Sequence, residues 1–155
     1  MRDDRGFSLI ETVVAVFLSA VMAAIAWPDF RSMYDRGQLD VTSDRLVADL
    51  STAQVVAFDL DKYEEIRFAP FGDYYQIYLD GAGYESFRAF ASPTRYFEGY
   101  LHLPEPYLRF YGSGGVSESG QIGLVDPEGD VRDIVVSLGF GVLRPYRHMV
   151  GGGVA

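Results

Sequence analysis

The spacing of hydrophobic positions changes along this chain, and each change predicts an element. From Phe7 to Trp27 the run is almost wholly apolar, and its one ionisable side chain is Glu11. At about 1.5 Å of rise per residue it makes a helix roughly 31 Å long, enough to cross a bilayer core. Asp29 to Phe58 reads as a helical extension of that run. In it Leu46, Leu50, Ala53 and Ala57 recur at helical spacing, with Arg45, Asp49 and Ser51 off the stripe. The stripe predicts a helix face packed on a sheet. Gly37 and the polar residues 38–43 predict a break or bend before it, with Thr42 or Ser43 as the cap of the second segment.

From Glu64 the period becomes two. Ile66 and Phe68 alternate with Arg67, Pro70-Phe71-Gly72-Asp73 marks a turn, and Tyr75, Ile77 and Leu79 alternate with Gln76 and Tyr78. This predicts a β-hairpin. Residues 81–106 give no clear period. Tyr107–Tyr111 reads as a strand, followed by a flexible Gly112-Ser113-Gly114-Gly115 connection. Gln121–Val125 and Val131–Leu138, joined by Asp126-Pro127-Glu128-Gly129, predict a second hairpin. Gly139–Leu143 adds a short last strand, and residues 145–155 read as a mobile tail. The order of elements gives an α+β class: a long N-terminal helix, first transmembrane and then amphipathic, packed on an antiparallel β-sheet domain.

Composition narrows the chemistry. The chain has no cysteine, so disulfide frameworks and thiolate metal or nucleophile sites are excluded. Its formal net charge of −9 repels nucleic acid, and no polybasic run offsets it. His102 and His148 stand far apart with no metal-protease spacing. No serine lies in Gly-x-Ser-x-Gly, and the Gly112–Gly115 stretch lacks the Lys-Ser/Thr of a phosphate loop. No catalytic residue, cofactor or metal site is expected. Asp126, Glu128, Asp130 and Asp133, and likewise Asp59, Asp61, Glu64 and Glu65, could offer oxygens to Ca²⁺. Their spacing matches no EF-hand loop, and solvated surface acids are the expectation. Aromatic residues gather between Tyr84 and Tyr111 among Arg88, Arg95 and Arg109, the composition of a core or of a partner-binding face.

Glu11 is the residue that a plain membrane anchor leaves unexplained, because a carboxylate within an apolar span costs on the order of a few kcal/mol near the bilayer centre. A cleavable signal peptide fits poorly as well: the run is too long, and Met1-Arg2-Asp3-Asp4-Arg5 carries cancelling side-chain charges. Gly6-Phe7-Ser8-Leu9-Ile10-Glu11 closely resembles the N-terminal signal of type IV prepilins and type II secretion pseudopilins. The resemblance implies cleavage between Gly6 and Phe7 by a prepilin peptidase, and N-methylation of Phe7. It also implies a filament-assembly role for Glu11 and a helix kink at Pro28. The later pattern, Leu46–Phe58 leading into Glu64–Leu79 and the Gly120–Leu143 segment, resembles the minor pseudopilin H and FimT-like subgroup.

The organisation implied is a cytoplasmic leader over 1–6 and a transmembrane and filament-core helix over 7–27. An extracytoplasmic pilin-like domain over 28–144 and a tail over 145–155 follow. The chain would be a single-pass protein of the inner membrane, lying at the filament tip once assembled. It would be a non-enzymatic minor pilin or pseudopilin that helps start or cap a filament, with prepilin peptidase and other pilins or pseudopilins as partners. FimT-like relatives also suggest an alternative, a DNA-binding minor pilin of a competence or DNA-uptake pilus using Arg144 and Arg147. The net charge argues against nucleic acid as a partner.

Overall fold

The computed structural model describes residues 8–80, 82–97, 103–138 and 144–149, the last stretch through its backbone. The Gly6–Phe7 junction, His102 and the strand expected at Gly139–Leu143 lie outside the described residues. The chain forms two units, residues 1–34 and 35–155, and α1, Leu9–Leu60, contributes to both.

Ser8 starts α1. Its Oγ accepts from the Glu11 N–H at 3.3 Å, and its carbonyl accepts from the N–H groups of Glu11 and Thr12. Ser8-Leu9-Ile10-Glu11 thus has the Ser-x-x-Glu spacing of a capping box, and Glu11 lies in the first turn, where the helix dipole favours negative charge. The first part of α1 is long and apolar enough to cross a membrane, and none of its apolar window is buried by the protein. Leu9, Met22 and Ile25 are each more than two-thirds exposed. Thr12 and Ser19 turn their hydroxyls back onto the carbonyls of Ser8 and Ala15, satisfying groups that hydrocarbon could not. Pro28 lies inside the helix, and its missing N–H leaves the Ala24 carbonyl without the usual donor four residues on.

Unit two corrects the expected bend at residues 37–43. α1 runs unbroken through Gly37 to Leu60, and Thr42 and Ser43 are buried inside it rather than capping it. Leu39, Leu46, Leu50, Ala53 and Ala57 enter one apolar core, which outweighs the roughly 1 kcal/mol a mid-helix glycine costs. Thr42 Oγ1 accepts from the Ala91 N–H at 3.1 Å and ties the helix to a loop.

The β region forms two antiparallel sheets rather than one. Its strands are β1 Glu64–Phe68, β2 Tyr74–Leu79, β3 Gly83–Ala89, β4 Arg95–Phe97, β5 Tyr107–Phe110, β6 Gly120–Val125, β7 Asp130–Val136 and β8 Arg144–Met149. Sheet A has the order β3-β2-β1-β5 and sheet B the order β4-β6-β7-β8. Both expected hairpins form, β1 with β2 and β6 with β7. Ile66, Tyr75 and Leu108 from sheet A meet Ile122, Leu124 and Ile134 from sheet B in the core with α1.

Two expectations change here. Residues 144–149 are not a mobile tail, because their backbone pairs with β7 along its length, Val135 opposite Arg144 and Asp130 opposite Met149. Gly112–Gly115 is a tight return: the Tyr111 N–H donates to the Gly115 carbonyl at 2.9 Å, and Phe110 bridges to Val116. A Cβ on Gly112 would meet Asp61 Oδ1 at 2.5 Å and Asp61 Cα at 2.8 Å, so close approach of the α1–β1 turn requires glycine there.

Candidate functional site

Two places concentrate chemistry: the start of α1 and the face of sheet A turned away from the core. At the first, Glu11 is an exposed carboxylate in the opening turn of an otherwise apolar helix. Pro28 sits seventeen residues further along the same helix. Arg144 and Arg147 pair through their backbones with Val135 and Arg132 on the edge strand β8, and their side chains are outside the described residues.

The second place was hidden from sequence reasoning. On β1, Glu64, Ile66 and Phe68 face the core, so Glu65 and Arg67 project from the opposite face. Register brings Tyr78 of β2 and Arg109 of β5 beside Glu65, and Gln76 and Tyr107 beside Arg67. On β3, Tyr84 lies opposite Tyr78 and Phe87 opposite Gln76. Glu65 is buried to 1% exposure although its strand position faces outward, because Arg67 and Arg109 close over it. The Nε–H of Arg67 donates to Glu65 Oε1 and that of Arg109 to Oε2. Rings hold the guanidiniums from the side. Arg67 lies over Tyr78 at 4.6 Å, and Arg109 lies over Tyr107 at 5.0 Å and Tyr63 at 5.5 Å.

The electrostatics follow from these partners. Burial pushes the Glu65 carboxyl up, but hydrogen bonds and charge from Arg67 and Arg109 overcome it and hold the group below the usual carboxylate range. Glu65 in turn keeps both guanidiniums firmly protonated. Its neighbour behaves oppositely. Glu64 faces the interior with no hydrogen-bond partner for Oε2 among the described residues, and burial, then Glu85, pushes it up to about 7.

The arginines expected to share one aromatic face separate. Arg95 is on β4 in sheet B, and Arg88 lies on the side of α1, 3.7 Å from Asp49, which also accepts from the Tyr75 hydroxyl. Arg109 alone of the three joins the aromatic face, with Arg67, which the sequence did not single out. The signal available was charge alternating with apolar residues in Glu65-Ile66-Arg67-Phe68.

Of the acidic residues weighed for Ca²⁺, Asp59, Asp61 and Glu128 are exposed as expected, and the other five are buried. Asp126, Asp130 and Asp133 are buried; Asp126 Oδ1 accepts from the Asp130 N–H at 2.8 Å, and Asp130 pairs with Arg36 at 2.6 Å. Arg132 donates to Asp40 through Nε at 2.6 Å. Helix and strand thereby pair acid with arginine in both directions. Among the described residues no three His, Cys, Asp or Glu side chains are grouped to hold an ion.

Residues 1–27 match the family model of the prokaryotic N-terminal methylation motif. No curated protein matches the chain by sequence. Its structure resembles that of the minor pseudopilin EpsH from the Type 2 Secretion System of Vibrio cholerae, with a TM-score of 0.58 and 11% identity. The likeness covers 71% of this chain and 97% of that one, and at this identity it shows a shared fold: one long N-terminal helix packed on antiparallel sheets. The N-terminus thus carries the prokaryotic methylation motif, and the chain has the fold seen in a minor pseudopilin.

Proposed function

We propose that this chain is a minor pilin or pseudopilin, a subunit that helps start or cap an inner-membrane filament of a type II secretion or type IV pilus machine. The observation that carries the reading is the coincidence, in one chain, of the methylation motif over residues 1–27 with an EpsH-like fold. Prepilin peptidase cuts between Gly6 and Phe7 and methylates the new Phe7 amine. The apolar part of α1 holds the subunit in the membrane, with the β domain outside the cytoplasm. Orientation rules count Arg2 and Arg5 and give Asp3 and Asp4 little weight, which supports that direction.

Glu11 acts at assembly. Leaving a carboxylate unpaired in a low-dielectric environment is costly, and a neighbouring subunit's N-terminal ammonium offsets that cost when the two meet. The exposure of Glu11 at the start of α1 leaves it open to such a partner. Pro28 weakens the helix locally by removing one backbone bond, which supports a kink there. The net charge of −9 gives no support to the DNA-binding alternative.

The test separates processing from assembly. Glu11→Ala is expected to be cleaved normally yet lost from the sheared-filament fraction, whereas Gly6→Leu accumulates the heavier membrane-bound precursor. Normal incorporation of Glu11→Ala would remove the assigned role.

A further inference from the structure

The outer face of sheet A carries an unbalanced charge built into a rigid frame. Two guanidiniums share the single carboxylate of Glu65, each through Nε–H. Their terminal N–H groups make no hydrogen bond among the described residues, and the side chains of Arg67 and Arg109 remain 53% and 37% exposed. One positive charge is left over, and the salt bridge and flanking rings hold the donors in place, so little ordering is needed to use them. Two strands away, Tyr84 and Phe87 stand about half exposed, braced by Tyr78 and Tyr74 respectively. Cations set beside exposed aromatic rings are the composition of energetic interface centres.

We propose that this face docks an extended acidic segment of a protein partner: one partner carboxylate bridges the free N–H groups of Arg67 and Arg109, and an apolar partner side chain covers Tyr84 and Phe87. Charge selects that occupant. A surplus of one on a chain of net −9 matches one or two carboxylates. A nucleic acid brings a dense row of phosphates that the rest of the molecule repels. Geometry sets the spacing. From β1 to β3 is two strand spacings, about 10 Å, which an extended peptide covers in about three residues. The inference goes beyond the filament reading and stands whether or not the chain assembles.

The probe is a fluorescent peptide of Glu-Ser-Gly-Leu repeated three times, titrated against the full chain in neutral detergent micelles and followed by anisotropy. It is expected to bind at least about tenfold tighter than its Gln-Ser-Gly-Leu counterpart, the loss expected when charge-assisted hydrogen bonds are removed. Arg67→Gln should weaken it by a similar factor with the near-ultraviolet circular dichroism unchanged. Should that variant fail to fold, Gln76→Lys decides, since it adds charge beside Arg67 without touching Glu65, and should tighten binding about threefold. Equal binding of the two peptides, or no tightening in Gln76→Lys, overturns the proposal. Tighter binding of a twelve-residue oligothymidine reassigns the face to nucleic acid. Self-association abolished by Arg67→Gln reassigns it to a second copy.

Discussion

Glu64 and Glu65 are chain neighbours whose side chains leave β1 on opposite faces, and their surroundings drive them in opposite directions. Glu64 enters the interior beside Glu85 and is pushed up to about 7. In the fold its neutral form is favoured, so its penalty is absent below the ordinary value of 4.5 and grows as pH rises towards 7. At about 1.4 kcal/mol per unit the penalty is roughly 3 kcal/mol at most. Glu64→Gln should therefore melt close to the parent at pH 4.5 and progressively above it up to pH 8. A pH-independent difference would contradict the assignment. Glu65 is held down by two arginines, so its contribution is present above the ordinary carboxylate range and lost as pH falls through the lowered folded value. Glu65→Gln should cost about 1–2 kcal/mol at pH 7, because it removes the charge from two hydrogen bonds whose guanidiniums stay partly solvated, and the loss should shrink towards pH 3. Thermal melts of the full chain in micelles at stepped pH read both signs in one series.

At the scale of elements, α1 in unit two shows packing overriding local preference. Gly37 and the polar residues after it read as a break, yet core side chains on both sides hold the helix through them. A Cβ on Gly37 would meet nothing within 4 Å. Gly37→Ala should raise stability by about 0.5–1 kcal/mol, visible as a higher melting midpoint. Leu50 is fully buried between helix and sheets, and Leu50→Ala should lower stability by about 2–5 kcal/mol, with the midpoint falling accordingly. The β1–β2 hairpin was legible because its core face imposes a period of two, and β6–β7 because the Asp126-Pro127-Glu128-Gly129 turn separates two apolar runs. β3 was not, because it is an edge strand exposed along most of its length, so Glu85-Ser86-Phe87-Arg88 carries no alternation to read. β8 was missed for a related reason. Arg144-Pro145-Tyr146-Arg147 has no apolar period and contains proline, which an edge position tolerates.

Across the whole molecule, what the sequence reveals depends on how far apart the cooperating residues lie. The methylation motif is local, with Gly6, Phe7 and Glu11 at fixed offsets before an apolar helix, and it is readable without a fold. The Glu65–Arg109 pair joins residues 44 apart through the register of β1 on β5, which no spacing rule anticipates. The division of the strands between two sheets is likewise a product of long-range pairing. The family reading depends on both kinds of information, a local motif and a non-local fold, meeting in one chain.

Its most direct test is at the N-terminus. The full chain, co-expressed with a prepilin peptidase and recovered from membranes, would be digested and its N-terminal peptide weighed by mass spectrometry. The account predicts a peptide beginning at N-methylated Phe7, with residues 1–6 gone. An intact Met1 in the presence of active peptidase, or a terminus created near Ala26, would contradict it.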